Sequence, residues 1–383
     1  MKKHLLLSAA TLAVAMQATP ALADFTFGNE DRNVTVYGRI DLGVASIGNG
    51  TSRLANAQDG VTTVGKTNLQ PGADSWFGIN AEMKLDDDLK SYIKVQQRFN
   101  ADTGQSANSA SQFYGWSYVG LQKIGVGAVE LGREYAPMAY IALEADPFRW
   151  DTVANIASVS LGTTKGVNGY VTTDVVRYKN GIYLKSDSYN GFKAVLGYSF
   201  QENDSIGITG SGTLPAGLNN AGNGVGSELG ATLEYREGKM YAGLGYDRTS
   251  RSMGGVVSGQ DMTIATLTYD FGSIKPMLST THLTVPQGST TAKLTSDVYS
   301  LGAIAPIGKG DLKMIAANVK QSATGTATAY DYNKYGIGYH YWIKKVSSPT
   351  ESYGTKVYVD LATAKTTSFT RTNAVDVGVM VTF

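Results

Sequence analysis

Hydrolytic, redox and metal chemistry rest on histidine, cysteine, exposed serine turns and clustered carboxylates, and this chain offers little of any. It has no cysteine and three histidines. His4 lies in the N-terminal segment. His282 and His340 stand alone, with no Ser or Asp motif that would orient either as a base, and no Gly-x-Ser-x-Gly turn is present. Two scattered histidines are also poor material for a metal site. Both read as ordinary wall residues, the chain does not read as an enzyme, and nothing in it calls for a cofactor. Trp76, Trp116 and Trp150 offer a different chemistry, a stacking track for sugar rings.

The elements that must hold these residues begin with an exported N-terminus. Met1-Lys2-Lys3-His4 is positive, Leu5 to Met16 is apolar, and Ala21-Leu22-Ala23 is a small-residue cleavage site. Residues 1–23 therefore read as a signal peptide, and 24–383 as one domain with no linker or tail. Across the whole chain 33 basic residues face 32 acidic ones, a balance that gives no support to a nucleic-acid partner. Without cysteine, an exported chain must be stabilised by something other than disulfides. Forty-five glycines and 23 tyrosines against nine prolines favour strands and turns. No segment after the leader is long and apolar enough for a membrane helix.

Side chains of a strand point to opposite faces in turn, and the sequence follows that period. Val375, Val377, Val379, Val381 and Phe383 share one face, and Asp376, Gly378, Met380 and Thr382 share the other. Val34, Val36, Ile40 and Leu42 oppose Thr35, Tyr37, Arg39 and Asp41. Ser91, Ile93 and Val95 oppose Lys90, Tyr92, Lys94, Gln96 and Arg98. Sixteen such segments can be placed, from 34–46 to 372–383. Short connections such as Asp86-Asp87-Asp88 and Glu237-Gly238 alternate with long polar ones such as Gly48 to Gly72. Alternation alone fits a soluble sandwich as well as a membrane barrel. Tight turns at one end and long loops at the other favour the barrel. Rings collect near strand ends, at Phe25 and Phe27, Tyr198 and Phe200, Tyr269 and Phe271, and Tyr339, Tyr341 and Trp342, as interfacial girdles do.

The run Val34-Thr35-Val36-Tyr37-Gly38-Arg39-Ile40-Asp41-Leu42-Gly43 resembles the first strand of the Gram-negative general porins, especially the trimeric proteobacterial type. Ser75-Trp76-Phe77-Gly78, Tyr118-Val119-Gly120-Leu121, Val129-Glu130-Leu131-Gly132-Arg133, Asn190-Gly191-Phe192 and the terminal Phe383 are similar to later parts of it. The resemblance covers essentially the whole mature chain. It implies an all-β fold, a transmembrane antiparallel 16-stranded β-barrel, assembled as a homotrimer in the outer membrane. It also implies a third long loop, here about Tyr135 to Thr173, folded into the pore as a constriction. That loop supplies Glu144, Asp146 and Asp151. Its Asp146-Pro147-Phe148-Arg149-Trp150-Asp151 is similar to the family's acidic Pro-Glu-Phe-Gly-Gly segment, reordered, with Arg149 and Trp150 replacing two glycines.

Opposite the loop such barrels place a basic wall, and the inward faces here offer Arg39, Lys94, Arg98 and Arg177, with Lys90, Lys179 and Lys185 as further candidates. Two of the family's arginine positions hold Trp76 and Gly115 instead, and Lys94 and Arg98 are placed to compensate. The resemblance also implies Phe383 as the signal read by the barrel-assembly machinery, and contact with outer-membrane lipid and lipopolysaccharide. Passive diffusion of small hydrophilic solutes and ions, mildly favouring anions, is the leading function. A substrate-selective sugar or organic-anion channel is the alternative, and a secreted adhesin or carbohydrate-binding sandwich is a third reading.

Overall fold

The structure is a computed structural model that describes residues 25–50, 67–107, 113–156, 159, 176–200, 225–253, 256–286, 293–325, 329–347 and 352–383. The leader assigned to residues 1–23 lies outside them. Among the described residues eighteen strands are present, in the order β1 (Phe25–Gly28), β2 (Arg32–Ile47), β3 (Thr67–Gln70), β4 (Ser75–Lys84), β5 (Leu89–Phe99), β6 (Ser117–Lys123), β7 (Gly127–Tyr135), β8 (Arg177–Ser186) and β9 (Phe192–Ser199). The second half continues with β10 (Val225–Glu237), β11 (Met240–Met253), β12 (Val256–Tyr269), β13 (Lys275–Pro286), β14 (Lys293–Ile307), β15 (Gly310–Thr324), β16 (Tyr332–Ser347), β17 (Ser352–Thr366) and β18 (Thr372–Thr382). A helix, α1 (Pro137–Glu144), follows β7.

Each long strand pairs antiparallel with the next, and β18 returns to β2 with Val377 opposite Val44, which closes the ring. Eighteen strands make sixteen staves because two staves are composite. The β18 ladder on β2 runs to Thr382 opposite Arg39. The backbones of Gly38 and Phe383 then exchange hydrogen bonds of 2.7 and 2.9 Å, and β1 continues the same edge with Phe25 opposite Val36. Likewise β3 pairs with Gly43–Ser46 of β2, while β4 pairs with Arg32–Arg39. Closure leaves no free edge, so the ladder itself supplies the stability that disulfides cannot.

The alternation read from the sequence has a definite inside. On β18 Asp376 is 0% exposed, whereas its neighbour Val377 is 52% exposed. The outward side chains form an apolar belt around the barrel, including Val44, Ile79, Leu121, Leu244, Leu278 and Leu361. A belt this continuous would be costly in water, and in lipid it costs nothing. That removes the soluble sandwich. Charge ends the belt at the long-loop side, where His282 meets Asp297 at 2.7 Å and Asp297 lies opposite Lys320. Rings mark both rims, Tyr198 with Phe200 at 5.1 Å and Tyr269 with Phe271 at 4.6 Å. Trp342 is a correction. It is buried on the inner side and donates its indole N–H to Asp311 at 2.7 Å, so it belongs to no girdle.

The segment after β7 turns into the barrel and follows its inner wall. Pro137 starts α1 without cost, because the first helical N–H has no partner anyway, and Met, Ala and Leu continue it. Met138 and Ile141 pack against Tyr241, Met262 and Ile264 of β11 and β12. Glycines on the inner wall make room. A Cβ on Gly243 would lie 2.6 Å from Ile141, and one on Gly302 would lie 2.7 Å from Pro147.

Candidate functional site

The inserted segment reaches its tip after Ala145, and Asp146 builds that tip. Its carboxylate accepts hydrogen bonds from the backbone N–H of Phe148 (2.9 Å), Trp150 (3.2 Å) and Ile156 (2.9 Å). Asp146 is fully buried, not part of the channel surface expected from the sequence. Burial pushes its carboxyl above the ordinary range, and the three N–H groups pull it back. The turn that it clamps holds Arg149 at φ 51° and Trp150 at φ 66°. This is the left-handed region that favours glycine, at the two positions where the related segment has glycines. The strain is held by the Asp146 clamp and by the burial of Trp150.

The tip docks on the far wall. Lys334 of β16, itself buried, donates its ammonium to the Asn155 carbonyl, and Thr152 N–H donates to the Gly72 carbonyl at 2.5 Å. Phe148 lies 5.9 Å from His340, centroid to centroid, and His340 Nε2 sits 3.1 Å from both oxygens of Asp360. His340 thus lies on the inner side, whereas His282 lies outside in the polar band. Among the described residues no group of three or more His, Cys, Asp or Glu is placed to hold a metal ion.

The acids and cations expected to face each other are placed as follows. Asp151 meets Arg39 at 3.1 Å, and Arg39 Nε also donates to the Asp74 carbonyl at 2.9 Å. Arg98 is ion-paired with Asp74 and lies directly across the β4–β5 ladder from Trp76. Arg98 thus stands on the neighbouring strand, directly beside the position that holds tryptophan. Lys94 lies over the Trp116 ring at 3.9 Å, and Arg177 lies over the Tyr135 ring at 4.5 Å. Glu144 sits at the end of α1, 3.0 Å from Arg236 and 3.7 Å from Arg149. Lys185 is held by Glu130 at 2.6 Å and Lys90 by Glu82 at 3.2 Å. The three tryptophans do not form one exposed track, since Trp150 is only 5% exposed.

Arg133 joins the basic wall, and sequence parity misses it. The β7–β8 register shifts between Gly132 and Glu134, and Gly132 has φ 134°. Such a bulge breaks the alternation and re-aims a side chain. Arg133 Nε donates to the Tyr114 carbonyl at 2.9 Å. A glycine inside a strand is the one signal that could have raised it.

A closed sixteen-stave barrel with an apolar outside, a charged inside and a loop folded across its interior is a multi-pass outer-membrane channel. Residues 9–370 match the profile of the Gram-negative porins, and the chain belongs to that family. It is similar to outer membrane porin protein 32 of Delftia acidovorans, 24% identical over 374 residues that cover 96% of this chain and 92% of the relative. Among solved structures it resembles an anion-selective porin from Comamonas acidovorans with a TM-score of 0.72 at 21% identity, covering 92% of this chain and all of that one. The trimer form of OmpT from Vibrio cholerae superposes with a TM-score of 0.60 at 12% identity, covering 92% of this chain and 100% of that one.

Proposed function

We propose that this porin passes small hydrophilic solutes and ions by passive diffusion, with a mild preference for anions, and carries out no catalysis. The burial of Asp146 carries the reading. It withdraws one of the three expected loop carboxylates from the lumen, while Asp151 and Asp74 are engaged by Arg39 and Arg98. On the wall that faces the tip, Arg39, Lys94, Arg98, Arg133 and Arg177 outnumber Asp74 and Asp151, and a cluster of one sign favours ions of the other. The anion selectivity named for the Comamonas porin supports the same direction.

The working form is a homotrimer in contact with outer-membrane lipid and lipopolysaccharide, a reading supported by the trimer form of the Vibrio relative. Its leader, 1–23, is removed on export, and Phe383 is the feature read by the barrel-assembly machinery. Swelling of liposomes carrying the protein, with neutral sugars of graded length and with charged solutes, tests passive flow. Uptake should fall smoothly with size. One sugar entering far faster than others of its size would favour the substrate-selective channel.

A further inference from the structure

The described wall arginines are not equally provided for. Arg39 has Asp151 and Arg98 has Asp74. Arg177, 4% exposed, has no carboxylate in ion-pair range among the described residues. Among those residues it donates once, to the Tyr135 hydroxyl at 3.2 Å, and its Nε–H meets no acceptor. Arg98 and Arg133, both of its own sign, lie close enough to act on its charge.

Among the described residues two more donors nearby lack acceptors. Gln96 is fully buried; its carbonyl oxygen accepts from Arg98 Nε at 3.1 Å, and its amide nitrogen has no partner. Trp116 N–H is likewise unmet, and its ring stands 5.4 Å from the Tyr135 ring on which Arg177 lies. A buried guanidinium without a counter-charge is strongly unfavourable, and each unmet buried donor adds to it. Water could take the N–H groups but would bring no charge. What is missing is an acceptor that is anionic and has several lone pairs, and a carboxylate is both.

We propose that Arg177, Gln96 and Trp116 form a saturable binding site in the channel wall for the carboxylate of a permeating organic acid. The site presupposes the anion-passing channel proposed above and adds a resting place within it. Small carboxylates reside there in passage, so they compete with chloride at millimolar concentration, while neutral sugars do not.

The test uses the full protein in planar bilayers, with acetate, benzoate and sulfate titrated against chloride current. Wild type should show a saturable fall in chloride current with acetate and benzoate, and weaker inhibition by tetrahedral sulfate. Arg177→Gln should weaken carboxylate inhibition about tenfold or more, since it removes a charged hydrogen-bond donor. Gln96→Glu places a carboxylate inside the site, so it should abolish the inhibition while raising thermal stability, and a folded, heat-modifiable band shows that the barrel is intact. A wild type whose chloride current is unaffected by carboxylates overturns the site but not the channel. So does inhibition that is the same in both variants. Absence of any ion current would instead overturn the channel itself.

Discussion

At the scale of single residues, strand parity decides what a substitution does. Val377 faces lipid and Asp376, one residue away, faces inward. Val377→Arg should cost roughly 2–4 kcal/mol in folding into lipid vesicles, the range for a cation near the midplane. Asp376→Asn should cost nothing and even stabilise, because Asp376 stands directly opposite Asp360 across the β17–β18 ladder and both are buried. Urea midpoints in vesicles measure both; equal damage at the two positions would mean that the wall has no lipid face. Asp146 gives a different expectation. Asp146→Ala removes the acceptor of three backbone N–H groups, a loss of about 3 kcal/mol or more confined to the inserted tip. The barrel should keep its heat-modifiable mobility while single-channel conductance rises, and an unchanged conductance would show that the tip does not limit flow. Parity is legible in the sequence because it needs only the residue type and a period of two. The role of Asp146 is not, because an aspartate that caps a turn and one that lines a channel look the same until the chain around them is placed.

At the scale of elements, the long staves are legible and the short ones are not. All sixteen predicted segments lie on observed staves, since each long strand repeats its alternation many times. β1 and β3 are four residues each, too short for alternation to show, and both earn their places by filling the edge of β2 beyond the end of another strand. α1 hides for another reason. Pro137, Met138, Ala139, Ile141 and Ala142 are all buried, so it lacks the polar face that makes a helix readable. The glycines that admit it, such as Gly243, look like ordinary strand glycines until Ile141 is seen against them. The composite stave yields the element-scale prediction. Phe383 seals the junction of β18, β1 and β2: its ring covers Gly38, where a Cβ would come within 2.6 Å of it, and it meets Phe25 edge-on at 6.3 Å. Removing Phe383, or replacing it with aspartate, should sharply lower the amount of folded barrel in the outer membrane. Wild-type amounts of heat-modifiable protein would show that closure does not depend on it.

At the scale of the whole molecule, the barrel and its loop set a field across the passage. The basic side of the wall comes from β2, β5, β7 and β8, through Arg39, Lys94, Arg98, Arg133 and Arg177, and the tip brings Asp151 against it. A transverse field in a narrow wet space raises the local concentration of one ion sign without binding it tightly. The field is short-ranged, because the Debye length falls from about 10 Å at 0.1 M salt to about 3 Å at 1 M. Anion preference should therefore be clear in dilute potassium chloride and weaken in concentrated solution. Arg39→Ala with Arg177→Ala should shift the reversal potential toward cations, because it removes two positive charges and also frees Asp151 from its partner. Reversal potentials under a salt gradient measure this directly. A cation-selective wild type would place the controlling charges on the loop side. A double variant with unchanged selectivity would place them further along the wall, among Lys313, Lys334 and Lys356 of β15 to β17, which are buried there on the inner side.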